Sequence, residues 1–428
     1  MLPTLAEYEQ SLRSGALNAT MASLYGPDGA GAGADRALAL LARLKADFGE
    51  GPVILASAPG RTELGGNHTD HNHGRVLAAA VSFDCLAAAS PSDSTEIVIH
   101  SKGFDKPIRV DVLDTAPRPE ETGTAEAIVR GVADGFREKG LAVRGLNAVM
   151  DSTVPIGLGL SSSAAFELCV GELLNQAAND GAVSALDLAR IARRAENLHF
   201  GKPCGFMDQL SCALRGALMI DFEDADAPVA EPVPCSFEKA GYRLLVVDTG
   251  GDHANLTHEY AAIASEMFAV AKILGRPFLR GTSRDELMEA IPEIRRETGD
   301  RPVLRALHFI EEDERVVKMA EALSQGNVNA YLRLVRVCGD SCWRLLQNCV
   351  SVTDPLRQPM TLALAMTGEF LQDDGACRIQ GGGFAGSIQA YVPLGRTAAY
   401  VAHMERVFGA GAVSGLRIRA AHDAAIRP

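Results

Sequence analysis

The segment from Gly157 to Ala165 carries the residue types of a phosphate-binding loop, in the order Gly-Leu-Gly-Leu-Ser-Ser-Ser-Ala-Ala. Its two glycines allow backbone angles at which amide N–H groups turn toward a bound anion. The apolar residues that follow predict a buried helix, whose positive dipole end would lie beneath the same anion. The alternative is a serine that only caps a helix after a flexible turn. The residues expected to contact the phosphates are Gly157, Gly159, Ser161, Ser162, Ser163 and Ala164.

Three other segments combine glycines with charged side chains. Residues 58–74 run Ala-Pro-Gly-Arg-Thr-Glu-Leu-Gly-Gly-Asn-His-Thr-Asp-His-Asn-His-Gly and lie between two strand-like runs. Residues 195–209 begin with Ala-Glu and end with Gly-Lys-Pro-Cys-Gly-Phe-Met-Asp-Gln, and residues 377–387 contain Gly-Gly-Gly-Phe-Ala-Gly. With the serine loop, these segments resemble, in order, the motifs of the galactokinases, within the superfamily that includes homoserine, mevalonate and phosphomevalonate kinases. The resemblance spans most of the chain.

The resemblance implies an α+β, two-lobed small-molecule kinase fold that binds ATP and its substrate between an N-terminal and a C-terminal domain. It implies Asp208 as the catalytic carboxylate, with Arg61 neutralising charge beside it. It also implies that Ser163 and Glu196 hold Mg²⁺, because a hydroxyl and a carboxylate are hard oxygen ligands. Whether Asp208 removes a proton or only orients the hydroxyl stays open. The sugar contacts carried over by the resemblance are Asn67, His68, Asp70, Gly205 and Tyr260.

The sequence departs from the family pattern at the sugar site. The usual Asn, Glu and Tyr of the first motif are here Glu63, Asn67 and His71, and an expected arginine pair after Tyr260 is absent. In the last motif Ala385 and Ser387 replace glycine and cysteine. We therefore expect a sugar 1-kinase acting on galactose or a close relative. Galacturonate is an alternative, because the amide of Asn67 could donate to a C6 carboxylate where the family glutamate would repel it.

Other classes of function compete with this interpretation. The histidines and aspartate of residues 68–73 could belong to a zinc hydrolase, and a catalytically silent sugar sensor would share the same fold. The intact serine loop favours catalysis over sensing. Residues 381–386 also fit the dinucleotide-binding pattern, but a strand rather than a helix is expected after them, which argues against that site.

Composition limits the partners further. The chain has 428 residues and a formal net charge of −13, which disfavours a nucleic-acid surface. We expect a cytoplasmic protein without a membrane segment and without disulfides among its 9 cysteines. The expected partners are ATP, Mg²⁺ and a small sugar. The sequence leaves the oligomeric state open, with a monomer as the working expectation.

The segments that must position these motifs fall into three parts. Residues 1–33 are expected to form an N-terminal arm that ends in a flexible Gly/Ala connector at residues 26–33. Residues 34–235 would form the N-terminal domain, which contains a helix from Ser184 with an apolar stripe that includes Leu198. Residues 236–428 would form the C-terminal domain, which opens on a strand at 242–248 and contains another at 388–392.

Overall fold

The computed structural model describes residues 2–202, 204–251, 256–420 and 424–428, apart from the side chain at position 257. Pro203 of the aspartate motif lies outside the described residues. Within those ranges, no helix is both long and apolar enough to cross a bilayer.

Helices and strands alternate along the first half of the chain. The elements are α1 (Leu5–Ser14), α2 (Asn18–Tyr25), α3 (Ala30–Phe48), β1 (Ile54–Gly65), β2 (Arg75–Pro91), β3 (Glu96–Ser101), β4 (Ile108–Asp111), α4 (Ala125–Glu138), β5 (Leu146–Ser152), α5 (Ser162–Ala178), α6 (Ala185–Arg194), α7 (Met207–Leu214), β6 (Ala217–Asp221) and β7 (Val229–Pro232).

The second half is mostly helical around a smaller sheet. Its elements are β8 (Tyr242–Asp248), α8 (Thr257–Ile273), α9 (Arg284–Thr298), α10 (Asp300–Ser324), α11 (Val328–Ser341), α12 (Pro359–Leu371), β9 (Ala376–Gln380), β10 (Ser387–Pro393), α13 (Thr397–Phe408), β11 (Val413–Leu416) and β12 (Ala425–Ile426). The described residues therefore form a mixed helix and sheet fold, as expected.

The larger sheet has the order β12-β1-β2-β5-β3-β4, with β6 paired to β2 and β7 paired to β6. Both of its faces are covered. Leu55 of β1 packs with α1 to α3 in one core, whereas its neighbours Ile54 and Ala56 pack in the main core on the other face. This alternation follows from the period of two along a strand. Alanines in β2 keep that main-core face flat, so α5 packs closely on β1 and β2.

The smaller sheet has the order β11-β8-β10-β9, and all its pairs are antiparallel. Strand β8 begins at the predicted residue, and β10 follows the glycine motif, so a strand rather than a helix follows residues 381–386. The main apolar core contains residues from both sheets. The helices of the second half therefore pack against the same core that supports β1.

Two local expectations were wrong. The Gly/Ala connector is not wholly irregular, because α3 already begins at Ala30 and its glycines lie within or beside a helix. Leu198 is 56% exposed rather than buried. The helix capped by Ser184 ends at Arg194, and the next six residues form a π-helical turn that changes which side chains face the core.

Candidate active site

The serine loop has the backbone geometry expected of an anion cradle. Gly157 and Gly159 adopt φ values of 82° and 63°, in the left-handed region that favours glycine. Helix α5 begins directly after the loop, so its N-terminal amides face the same space. The loop is supported from the C-terminal half of the chain, because Ser387 Oγ donates to Leu158 O over 2.8 Å and Gln380 Nε2 donates to Gly159 O over 2.8 Å.

Asp208 lies in the first turn of α7 and joins the loop to strand β1. Arg61 donates from Nε and Nη2 to Asp208 Oδ1 over 2.9 and 2.7 Å, and Ser161 Oγ donates to Oδ2 over 2.6 Å. Burial raises the pKa of the Asp208 carboxyl, but the Arg61 guanidinium and the Ser161 hydroxyl outweigh it and hold that pKa below its ordinary value. Asp208 is therefore ionised at neutral pH. The Ser161 side chain bonds to this carboxylate and does not cap helix α5.

Glu196 forms a second carboxylate centre beside the loop. The π-helical turn Ala195–Phe200 carries it, and its side chain is almost fully buried. Ser163 Oγ donates to Glu196 Oε1 over 3.0 Å, and Lys202 Nζ lies 3.1 Å from the same oxygen. Gln209 Nε2 donates to Oε2 over 2.7 Å. Both predicted metal ligands are thus adjacent, and they form a set of hard oxygen donors of the kind that Mg²⁺ prefers.

Glu167 lies behind this centre and is fully buried. Burial, reinforced by the nearby Glu196 charge, raises its pKa well above the ordinary value. Gln209 Nε2 also donates to Glu167 Oε2 over 3.3 Å. The Gln209 amide therefore bridges the two carboxyl groups and holds Glu196 from behind.

Asp70 and Gly205 meet at the predicted sugar side. A β-carbon at position 205 would lie 1.9 Å from Asp70 Oδ2, so only glycine permits this approach. His68 points its Nε2 at Gly382 O over 2.8 Å. Burial lowers the pKa of His68 to about 4, so its ring is neutral at pH 7 and the proton is on Nε2, because the partner is a carbonyl.

Asn67 is buried and its amide is fully engaged by protein groups. Its Nδ2 donates to Glu63 Oε1 over 2.9 Å and to Gly381 O over 2.8 Å. Its Oδ1 accepts from Asn348 Nδ2 over 2.8 Å. The galacturonate alternative needs a free amide hydrogen at this position, and both are already bonded. The structure therefore does not favour that alternative.

The three carbonyls of the Gly381–Gly383 loop are each bonded by at least one side chain from outside the loop. Asn67 and His68 bind the first two, and Asn348 Nδ2 also donates to Gly382 O over 3.0 Å. Tyr260 Oη, from α8, donates to Gly383 O over 2.8 Å. Three of the five predicted sugar residues, Asn67, His68 and Tyr260, thus converge on the glycine loop, which in turn contacts the serine loop.

The remaining predicted residues occupy less direct positions. Ala164 is buried within α5, so only its backbone faces the loop, and Ser162 opens that helix. His73 turns away from the site, with its ring stacked 3.7 Å from that of Phe278. In the described part of the chain, no group of three His, Cys, Asp or Glu side chains is arranged to hold a metal ion by itself.

Sequence reasoning missed five residues of this site. Glu167 follows the serine loop in sequence and lies buried behind Glu196. Lys202 and Gln209 lie within the aspartate motif and contact Glu196, and their position in the motif was the available signal. Gln380 and Asn348 are distant in sequence and reach the site only through the fold.

Comparisons with known proteins agree with this geometry. Residues 42–91 match the galactokinase galactose-binding signature, and residues 127–216 match the GHMP kinases N terminal domain. The galactokinase of Streptomyces coelicolor is 31% identical over 383 residues, covering 88% of this chain and 94% of the relative. The human galactokinase is 32% identical over 373 residues, covering 85% and 90%.

Solved structures show the same fold. The Lactococcus lactis galactokinase, crystallised with galactose, superposes with a TM-score of 0.76 at 21% identity, covering 90% of this chain and 98% of its own. The mevalonate kinase of Methanococcus jannaschii has a TM-score of 0.61 at 15% identity, covering 86% and 99%. Because the sequence relatives exceed 30% identity over nearly their whole length, the likeness is one of family and not of fold alone: this chain belongs to the galactokinase family.

Proposed function

We propose that this protein transfers the γ-phosphoryl group of ATP to the anomeric hydroxyl of galactose. The observation that carries the proposal is the bonding of one carboxylate, Asp208, to both the serine loop and the strand motif. Phosphoryl transfer needs donor and acceptor held in line, with the developing charge neutralised. A carboxylate that touches the phosphate loop on one side can hold the acceptor hydroxyl in line with the donor, and the Arg61 guanidinium paired with it supplies positive charge at the same place.

The proposed reaction breaks the bond between the γ-phosphorus and the oxygen that bridges it to the β-phosphate. A new bond forms between that phosphorus and the anomeric oxygen, and the hydroxyl proton leaves toward Asp208 or solvent. Asp208 orients the hydroxyl and stabilises the departing proton. Arg61, with two bonds to Oδ1, fixes the carboxylate and keeps its charge.

We propose that Ser163 and Glu196 hold Mg²⁺. Their oxygens lie 3.0 Å apart beside the N-terminus of α5, and Glu196 is held from behind by Gln209. When bound, the ion neutralises charge on the ATP phosphates and helps to orient them. The serine loop contributes amide donors and the helix dipole.

The sugar is proposed to lie against Asp70, His68, Gly205 and Tyr260. A carboxylate such as Asp70 accepts hydrogen bonds from hydroxyls. Gly205, which has no β-carbon, leaves the space that the Asp70 carboxylate occupies. Asn67 would act through the Gly381–Gly383 loop, whose carbonyl it binds, because its own amide is engaged. The matched relatives are named galactokinases, which supports galactose as the acceptor.

Three accompanying proposals concern organisation. We keep the division into an arm at 1–33 and domains at 34–235 and 236–428, with the second boundary before β8; the last residues of the arm, from Ala30, already belong to α3. We also keep a cytoplasmic location and a monomeric state as proposals. Gel filtration with light scattering would test the monomeric state.

The test is an ADP-release assay over galactose, galacturonate, other hexoses and amino sugars. We expect ADP formation with galactose, a kcat/KM for galacturonate at least about 100-fold lower, and a product that ³¹P NMR identifies as a sugar 1-phosphate. ATP binding without ADP formation for any sugar would instead support the silent sensor.

A further inference from the structure

Lys202 is a cation at the reaction centre that no motif assigns. Its Nζ lies 3.1 Å from Glu196 Oε1, the oxygen that also accepts from Ser163. Its backbone N–H donates to Glu196 O over 3.1 Å, so the loop holds this lysine beside the carboxylate. The position of Lys202 is thus fixed at the backbone, while its four-carbon side chain keeps rotational freedom.

This contact differs from an ordinary surface ion pair. Lys202 is 61% exposed at its side chain, but Glu196 is only 2% exposed, so the ammonium approaches from the open side of a buried carboxylate. The positive charge of Lys202 also helps to lower the pKa of Asp208. One ammonium therefore acts electrostatically on both carboxylates of the site.

Lys202 also lies close to the serine loop, because it shares Glu196 Oε1 with Ser163. Ser163 and Ser161 of the serine loop bind Glu196 and Asp208 respectively. A phosphoryl group that left this loop for an acceptor at Asp208 would therefore move near both carboxylates. Lys202 is bonded to the first of them and electrostatically coupled to the second.

We propose that Lys202 is a further catalytic residue, whose ammonium contacts the transferred phosphoryl group and neutralises the charge that develops on it. The inference rests on the proposed phosphoryl transfer. The same bond breaks at the γ-phosphorus and the same bond forms to the sugar oxygen; Lys202 stays protonated throughout and exchanges no proton. Glu196 Oε1 would serve either the ammonium or a metal ion, and a Lys202 ammonium that no longer bonded this oxygen would be free to contact the phosphoryl oxygens.

The test compares Lys202→Met, which keeps the length of the side chain and removes its charge, with Lys202→Arg, which keeps the charge. Lys139→Met is the matched control, because Lys139 Nζ also bonds a carboxylate, Asp187, over 2.8 Å but on the surface. The exposed position of Lys202 makes both variants compatible with folding, which thermal denaturation checks.

At saturating Mg²⁺, ATP and galactose, we expect Lys202→Met to lower kcat at least about tenfold, Lys202→Arg to recover part of it, and Lys139→Met to match the wild type. A second measurement does not depend on turnover. Calorimetry would measure the affinity for MgADP in the presence of galactose, with and without aluminium fluoride, which mimics the transferred group. Aluminium fluoride should increase that affinity in the wild type, and Lys202→Met should lose most of the increase.

Two results would overturn the inference. In the first, high Mg²⁺ restores the activity of Lys202→Met, so that Lys202 is only a counter-ion of Glu196. In the second, Lys202→Met has the same kcat as the wild type, or gains as much MgADP affinity from aluminium fluoride as the wild type does. Wild-type turnover of galactose tests the proposed function separately, because it does not depend on how the Lys202 variants behave.

Discussion

Replacing Asn67 by Glu should destabilise the protein in a strongly pH-dependent way. Asn67 Nδ2 donates to two groups that can only accept, Glu63 Oε1 at 2.9 Å and Gly381 O at 2.8 Å. Glu63 is also paired with the buried Arg378. A carboxylate at position 67 removes both donors and places a second negative charge against Glu63, out of contact with water.

The loss of stability in Asn67→Glu follows from the distance between position 67 and Glu63 Oε1. Two unit charges 2.9 Å apart repel by about 6 kcal/mol at an effective dielectric constant near 20. The introduced carboxyl avoids this cost by binding a proton, because 6 kcal/mol raises its pKa above about 7.5. Protonation then costs about 1.4 kcal/mol for each pH unit above about 4.3, or roughly 4 kcal/mol at pH 7.5.

The sign of the pH dependence is fixed by proton binding. Between the unfolded-state pKa, about 4.3, and the raised folded-state pKa, the native protein binds one more proton than the unfolded chain. Stability relative to wild type therefore falls as pH rises. Urea denaturation should show a deficit at pH 7.5 that is about 3 kcal/mol larger than at pH 5. Asn329→Glu, at an exposed position, controls for the added charge.

The double variant Glu63→Gln/Asn67→Glu sharpens the test. Glu63→Gln alone leaves Arg378 buried without its carboxylate and should cost about 3 to 5 kcal/mol. The double variant restores one carboxylate and one amide to the pair, and Asn348 Nδ2 can still donate to position 67. We expect it to be more stable than either single variant. Additive losses, or an Asn67→Glu deficit that does not change with pH, would refute the buried contact.

Three further outcomes test the site. Asp208→Asn should lower kcat by about 100-fold or more, with galactose and ATP affinities by calorimetry nearly unchanged, since only the charge at the reacting hydroxyl is lost; activity within a few-fold of wild type would contradict its assignment. Ser163→Ala and Glu196→Ala should each shift the Mg²⁺ titration of activity to higher concentration, with partial recovery at saturation, and unchanged titrations would exclude them as ligands. Gly205→Ala should raise the galactose KM about tenfold or more and leave the ATP KM unchanged, because its β-carbon would fall 1.9 Å from Asp70 Oδ2; equal KM values would show that the loop adjusts without loss.

The sequence predicted those parts of the fold that depend on local chemistry. The serine loop, the start of α5 and the strands at 242–248 and 387–393 follow from glycine position and apolar periodicity. The Gly/Ala connector was misjudged because α3 packs its alanine and leucine face on the sheet, and this burial outweighs the poor helix propensity of glycine. The exposure of Leu198 depends on a π-helical turn, which has no reliable local sequence signal.

The site residues also divide into those that the sequence predicted and those whose contacts depend on the fold. The resemblance of the motifs alone placed Arg61 beside Asp208, and the two side chains are hydrogen-bonded in the structure. The engagement of Asn67 could not be predicted, because Asn348 lies 281 positions away and reaches it only through packing of the two halves. A residue type indicates which bonds an amide can make, but only the fold shows which are already made.

The exchange of residues in the first motif is best explained by that contact. Galactokinases resemble one another in having Asn and Glu at the positions of Glu63 and Asn67, and this chain has the same two side chains in the opposite order. Because Asn67 Nδ2 donates to Glu63 Oε1, the pair keeps one carboxylate, one amide and the same net charge in either order. The carboxylate here neutralises Arg378, a fully buried residue of strand β9 that could not remain unpaired. The departure therefore changes how the loop is held and leaves no new donor for a C6 carboxylate, which favours the neutral sugar.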